Sequence, residues 1–162
     1  MKAPTVIIAL TAVLAVVIAT AIRFDPFATD QAEPMLSPDD AKVLAMGERI
    51  YAEQCASCHG DRLQGQPDWR TRGADGLLPA PPHDAGGHTW HHPDEMLFRI
   101  TKFGVASIVG DPSYKTSMPA YEGRLSDDEI IAVLSWIKAQ WPPQVRQKHD
   151  QMNAQAAKAA RS

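Results

Sequence analysis

One short stretch, Cys55-Ala56-Ser57-Cys58-His59, restricts what this chain can fold around more than any other feature. The spacing C-x-x-C-H is the attachment signature of a c-type haem, in which both thiols become thioethers and the following imidazole ligates the iron. A zinc site normally uses four ligands, but the chain has only 2 cysteines. A redox dithiol needs no histidine at this position, and no βαβ pattern surrounds the motif. We therefore expect one covalent haem c, held by Cys55, Cys58 and His59.

Length and charge limit the number of domains and the kinds of partner that this chain can have. A chain of 162 residues predicts one folded domain after its apolar start, and a net charge of −3 argues against a nucleic-acid partner. Both cysteines are assigned to haem, so no disulfide framework is expected. Covalent haem attachment implies maturation outside the cytoplasm.

The chain begins with an apolar run from Ala3 to Ile22. About 20 such residues are enough to cross a bilayer as a helix, whereas a secretory signal usually has an apolar region of roughly 7–15. We expect an uncleaved transmembrane helix over 1–22, although Ala19-Thr20-Ala21 leaves a cleavage site open. A proline- and acid-containing linker is predicted over 23–37. These segments predict a location in a bacterial inner membrane, with the haem domain in the periplasm.

Three helices are predicted in the domain over 38–143. The first begins at Ser37-Pro38-Asp39-Asp40, with serine as the cap, and runs into the haem motif. The second begins at Pro93-Asp94-Glu95 and stops at Gly104, and the third opens with the capping box Ser126-Asp127-Asp128-Glu129 and ends at Pro142-Pro143. Glycines and prolines predict loop between His59 and Trp90. The fold class is therefore all-α.

The remaining residues, 144–162, form a helix-prone tail without a strong apolar stripe. We expect a solvated helix or a fraying tail. The weak series Val145, Met152, Ala156 leaves docking on a partner open.

The order helix, C-x-x-C-H, loop, helix, Met-Pro loop, capped helix resembles the class I monohaem cytochromes c in a membrane-anchored bacterial form. The resemblance covers residues 41–141 and is carried by the haem motif and by Ser117-Met118-Pro119. It implies a small cytochrome c fold, with three main helices and long loops around one covalent haem. It also implies that Gly47 and Tyr51 of the first helix pack across the last helix near Val133 and Trp136.

The axial ligands follow from the same resemblance. His59 is the proximal ligand, and Met118, on a loop with Pro119 after it, is expected as the distal one. A methionine can also be ordinary core filler, which suits Met96 better because it lies on a predicted helix. In relatives a proline carbonyl of the long loop accepts a hydrogen bond from the proximal histidine. The candidates here are Pro79, Pro81 and Pro82.

Four of the 6 histidines fall in one short stretch: His83, His88, His91 and His92. Clustered imidazoles suit copper or zinc, but no regular element fixes their geometry here. We therefore expect solvated or propionate-bonded histidines rather than a metal site. Trp90 is the expected propionate contact, because a buried indole N–H needs an acceptor.

Together these features predict an electron-transfer protein rather than an enzyme. The expected role is a one-electron carrier on the periplasmic side, between membrane respiratory or photosynthetic complexes, such as a quinol-oxidising complex and a terminal oxidase. A fixed haem subunit of a larger oxidoreductase complex is the nearest alternative. A haem ligand sensor with an open iron site and a periplasmic metal-handling protein remain open as other classes.

Overall fold

The first helix of the folded region begins at Ala41, three residues later than a serine cap at Ser37 would place it. In the computed structural model, which describes residues 35–111 and 113–161, the cap is Asp40. Its carboxylate accepts from the N–H groups of Lys42 at 2.8 Å and Val43 at 3.2 Å. Ser37 instead closes a turn, accepting from the Asp40 N–H at 3.2 Å. The Ser37 prediction was wrong because the residue that orients its carboxylate onto the first free N–H groups is the cap.

The described residues form helices and loops, and none of them is in a strand. This confirms the all-α class for that part of the chain. The helices are α1 (Ala41–Gln54), α2 (Ala56–His59), α3 (Asp94–Phe103), α4 (Val105–Val109), α5 (Asp127–Ala139) and α6 (Pro143–Ala159), with a 3₁₀ turn at Thr89–His91 between α2 and α3.

Helix α1 packs across α5 at a glycine. A Cβ on Gly47 would overlap the Ala132 carbonyl and would lie 2.8 Å from the Trp136 Cβ. One turn further on, the rings of Tyr51 and Trp136 lie 4.7 Å apart. The predicted packing of Gly47 and Tyr51 against the last haem-domain helix is confirmed, because only a glycine lets the two backbones approach this closely.

The ends of α3 and α5 follow their predicted signals. Gly104, with φ of +81°, stops α3, and the short α4, which the sequence did not predict, follows it directly. The capping box of α5 is formed: Ser126 Oγ accepts from the Glu129 N–H, and the Glu129 carboxylate accepts from the Ser126 N–H at 2.9 Å. Helix α5 ends at Ala139, and Pro143 occupies the first turn of α6.

Helix α6 is the main difference from the sequence-based expectation. It is docked on its own domain, with His149 fully buried and Val145 packed against the core. A helix forms here and most of its residues are exposed, but the expectation of a solvated or fraying tail was wrong where Val145, His149 and Asn153 dock on the domain.

Asn153 of α6 caps the start of α3. Its side-chain oxygen accepts from the Asp94 N–H at 2.8 Å, and its NH₂ donates to the Asp94 carboxylate at 2.9 Å. The residue before α3, Pro93, makes no side-chain cap of its own. The free N–H at the helix start is therefore satisfied from a residue 59 positions away.

Two further polar contacts join α6 to the rest of the domain. His149 Nε2 donates to the His92 carbonyl at 2.9 Å. The ammonium of Lys138, 2% exposed, lies 2.7 Å from the Asp150 carboxylate. We call Asp94, Lys138, His149, Asp150 and Asn153 the polar cluster.

Residues 1–34 lie outside the described residues, so the transmembrane helix over 1–22 and most of the linker stay predictions. Among the residues that the structure describes, no helix is both long enough and apolar enough to cross a membrane.

Candidate haem-binding site

The attachment motif lies at the junction of α1 and α2. The Cys55 N–H donates to the Tyr51 carbonyl and the His59 N–H to the Cys55 carbonyl, both at 2.9 Å. Cys55 itself is the turn between the two helices, and its carbonyl also accepts from the Cys58 N–H at 3.1 Å, so Cys55 and Cys58 stand about one turn apart. Cys55 is half-buried and Cys58 exposed, and neither forms a disulfide.

The imidazole of His59 is buried and oriented by one hydrogen bond. Its Nδ1 lies 2.8 Å from the Pro81 carbonyl oxygen, which can only accept, so Nδ1 carries the proton. In the neutral ring this leaves the lone pair on Nε2, the atom needed for iron. Burial lowers the pKa of His59, against the raising effect of the Pro81 carbonyl. The ring therefore stays neutral to lower pH than a free histidine. The structure selects Pro81 among the three candidate prolines.

The long loop after the motif is folded back so that Pro81 reaches His59. The His83 N–H donates to the Leu63 carbonyl at 2.8 Å, and Leu63 is almost fully buried. Gly65, with φ of +65°, lies directly against Pro82, whose backbone N a Cβ on Gly65 would overlap. The prediction of loop between His59 and Trp90 holds for residues 60–88, which contain no helix or strand.

His83 stacks on His59. The two ring centroids are 4.0 Å apart, with an angle of 22° between the planes. Burial, followed by the proximity of His59 and His88, lowers the pKa of His83 well below its usual range. Sequence reasoning placed His83 in a histidine cluster and missed this contact. Its position two residues after the Pro81 acceptor is the signal that could have indicated it.

Two tyrosines hold the ends of the motif. The Tyr51 hydroxyl donates to the Gly60 carbonyl at 2.8 Å, and the Tyr121 hydroxyl donates to the Gln54 carbonyl at 2.8 Å. Burial and the nearby Cys58 raise the pKa of the free Cys55 thiol to about 11, partly offset by a hydrogen bond with Tyr121. The sequence did not indicate Tyr121, which lies outside the motif.

Met118 lies half-buried on the loop between α4 and α5, and its N–H donates to the Thr116 hydroxyl at 3.1 Å. Tyr121, three residues later, is fixed beside Cys55 and donates its N–H to the Thr101 carbonyl at 3.1 Å. Three residues extend the chain by at most about 10 Å. The loop that carries Met118 is thus tied to the attachment motif, and its role as distal ligand stays a prediction.

Trp90 lies in the 3₁₀ turn, where its indole N–H donates to the Ala85 carbonyl at 3.3 Å and its ring stacks on His91. A propionate contact of Trp90 stays a prediction. The rings of His88 and His92 lie 5.5 Å apart. In the described ranges no three His, Cys, Asp or Glu side chains are grouped to hold a metal ion. The expectation that the histidine stretch is not a metal site stays a prediction.

These residues fit a c-type haem. The motif supplies two thiols one turn apart and an imidazole whose Nε2 is left for iron. The segment between His59 and Met118 also exposes three large apolar side chains, Leu78, Phe103 and Val109.

Comparison with known proteins agrees with this chemistry. A family model described as cytochrome C oxidase, cbb3-type, subunit III matches residues 42–137. The chain is 26% identical over 125 residues to the gluconate 2-dehydrogenase cytochrome c subunit of Pantoea cypripedii, covering 70% of this chain and 26% of that protein. It is 31% identical over 98 residues to the cbb3-type cytochrome c oxidase subunit CcoP of Azospirillum sp. (strain B510), covering 60% and 29% respectively.

A smaller relative is cytochrome c6 of Chlorolobion braunii, 27% identical over 95 residues that cover 58% of this chain and 86% of that protein. The first two relatives are much longer, and the chain matches less than a third of each. No solved structure matches at a significant level. Because the family match covers more than half of the 162 residues, this chain belongs to the cbb3-type cytochrome c oxidase subunit III family and carries a covalently bound c-type haem.

Proposed function

We propose that this chain is a one-electron carrier in which His59 and Met118 are the axial ligands of one haem c. The bound haem supplies the reversible one-electron step. The observation that carries the proposal is the buried His59 ring, whose Nδ1 donates to Pro81 within the Cys55-x-x-Cys58-His59 motif. That bond gives the imidazole the tautomer that a proximal ligand needs.

The surrounding side chains keep the site rigid. Tyr51 and Tyr121 bond the two ends of the motif, and the Pro81 carbonyl holds Nδ1 of the imidazole. A ligand set that moves little between oxidation states suits electron transfer, and the two thioethers prevent loss of the haem. Cys55 and Cys58 therefore retain the cofactor while His59 holds the proximal side.

Met118 is proposed to close the distal side. A thioether favours ferrous iron and raises the reduction potential. Pro119 biases Met118 away from helical geometry, so the backbone presents the sulfur from a loop. The anchoring of Tyr121 beside Cys55 keeps that loop near the motif.

The printed names of the relatives guide the proposal about partners. One relative is a subunit of a dehydrogenase and another a subunit of an oxidase. We infer a position between a quinol-oxidising complex and a terminal oxidase on the periplasmic face, with residues 1–22 as the tether. Tethering confines both partners and replaces electrostatic steering. The same relatives favour, as a second candidate, a fixed haem subunit of a larger oxidoreductase complex.

Replacement of Met118 by alanine tests the ligand assignment. Ferric wild type should show the near-infrared sulfur-to-iron charge-transfer band, and Met118→Ala should lose it while keeping the covalent haem. The reduced variant should bind carbon monoxide readily because the distal position is open. Met96→Ala, on α3 and 38% exposed, is the matched control and should keep the band.

The opposite result would favour a sensor. If wild type lacks the band and binds carbon monoxide as fast as Met118→Ala, the iron is open and the carrier proposal fails. Purification from native membranes in mild detergent separates carrier from fixed subunit, since a fixed subunit stays with its complex. A mature N-terminus at Ile22 would contradict the tether.

A further inference from the structure

The four histidines of the loop divide into two groups in the structure. The exposed or half-buried rings of His88, His91 and His92 lie against other rings of the loop: Trp69 on His88 at 5.2 Å and Trp90 on His91 at 3.7 Å. Of these four histidines, His83 alone stacks on the ring of His59. This histidine therefore has a different environment from its neighbours in sequence.

His83 is fixed from several sides. Its Nδ1 forms a 2.7 Å hydrogen bond with the Thr89 hydroxyl, which also lies 3.4 Å from the Pro82 carbonyl oxygen. The His83 carbonyl accepts from the indole N–H of Trp141 at 2.7 Å.

The hydrogen bond to Pro81 alone does not fix His59. It holds one ring atom, Nδ1, and leaves the plane of the imidazole free to tilt around that point. A second flat ring at 4.0 Å and 22° removes that freedom, because tilting would drive the two rings into contact or pull them apart. The two contacts together define the plane.

We propose that His83 is a positioning residue for the haem, its stacked ring setting the plane of the His59 imidazole. The inference rests on the proposed function, in which His59 is the proximal ligand. Outer groups that orient a ligating histidine also tune its metal. The plane of an axial imidazole determines how the unpaired electron of ferric low-spin iron is distributed over the porphyrin. The haem-methyl proton shifts therefore report this plane directly.

The experiment compares four variants of the holoprotein by paramagnetic NMR and by midpoint potential. His83→Leu removes the flat face at similar volume, His83→Phe keeps a flat face, and Thr89→Val removes the hydroxyl that holds the ring. His91→Leu is the matched control, an exposed histidine of the same loop whose ring stacks on Trp90 rather than on His59.

In His83→Leu the spread of the four haem-methyl shifts should change and the potential should rise, because the polarisable ring beside the ligand no longer stabilises ferric iron. Thr89→Val should change the methyl shifts and the potential in the same direction as His83→Leu, but by a smaller amount. His83→Phe should keep a shift pattern near wild type, and His91→Leu should match wild type in the haem-methyl shifts, which report the plane of His59.

The proposal would be overturned if His83→Leu carried covalent haem and showed the same haem-methyl shifts as wild type. It would also be overturned if His91→Leu changed these shifts as much as His83→Leu does. If His83→Leu fails to incorporate haem, Thr89→Val decides instead, and haem-methyl shifts like those of wild type in that variant would overturn the proposal. A wild-type protein without low-spin ferric iron would overturn the carrier function itself, and with it the positioning role. That result is visible before any variant is made.

Discussion

Two of the helix contacts in the described part of the domain use different groups. At the α1–α5 crossing, Gly47 lies against the Ala132 backbone and Tyr51 packs on Trp136. At the docking of α6, the polar cluster supplies hydrogen bonds and an ion pair, and His149 has no exposed surface. The first contact depends on shape. The second depends on each buried polar atom keeping its partner.

The difference affects how each contact can fail. A close backbone crossing has no room for one added carbon, so it is lost by steric overlap. A buried polar contact is lost when a group gains a charge or a partner is removed. The predictions below separate these two kinds of failure.

The largest effect is expected at the crossing. Helix propensity alone predicts that Gly47→Ala stabilises α1 by about 1 kcal/mol. We expect instead a loss of about 2–3 kcal/mol in the free energy of unfolding, because the added Cβ overlaps the Ala132 carbonyl. Urea unfolding of the holoprotein measures it.

The control for this prediction is Ala45→Gly on the exposed side of the same helix, which should cost about 1 kcal/mol by propensity. An increase in stability of Gly47→Ala would contradict the close crossing.

A smaller effect is expected from pH at α6. Burial, then the charge of Lys138, lowers the pKa of His149, against the opposing effects of Asp94, the His92 carbonyl and Asp150. The unfolded state therefore binds more protons than the folded state below about pH 6.5, and stability falls as pH falls through that range. His149→Gln should reduce this slope, by at most about 1.4 kcal/mol per pH unit.

The slope in urea unfolding between about pH 5 and 7 is the measurement. The pKa values of His83, His88 and His92 are also lowered, so wild type keeps several contributions and only the difference between wild type and His149→Gln is informative. Equal slopes in the two proteins would show that His149 is not held neutral by the docked helix.

The sequence predicted the parts of the fold that depend on local signals. The haem motif, the stop at Gly104 and the capping box of Ser126 and Glu129 each involve residues close together in the chain. Gly47 and Tyr51 were found through the family resemblance. These features are visible because spacing alone specifies them.

The remaining parts depend on contacts between distant residues. Asn153 caps α3 from 59 positions away, and Trp141 reaches the His83 carbonyl across 58. Neither contact leaves a periodic apolar pattern, so α6 read as a tail. Two contacts of His59, the hydrogen bond to Pro81 and the stacking of His83, likewise depend on how the long loop folds back over the motif. No local sequence rule predicts that path.

The smallest effect is expected from the exposed ion pair between Arg146 of α6 and Asp39. Arg146 places one guanidinium nitrogen 2.9 Å from both oxygens of Asp39, whose side chain is 81% exposed. A surface pair held by one nitrogen is screened by water and salt, so a double-mutant cycle with Arg146→Gln and Asp39→Asn should give a coupling energy below about 0.5 kcal/mol. Measuring the cycle at low and high salt checks it, since any residual coupling should decrease with salt. A coupling above about 1 kcal/mol would mean that α6 is also held through its exposed charges, and that burial is not what separates its strong contacts from its weak ones.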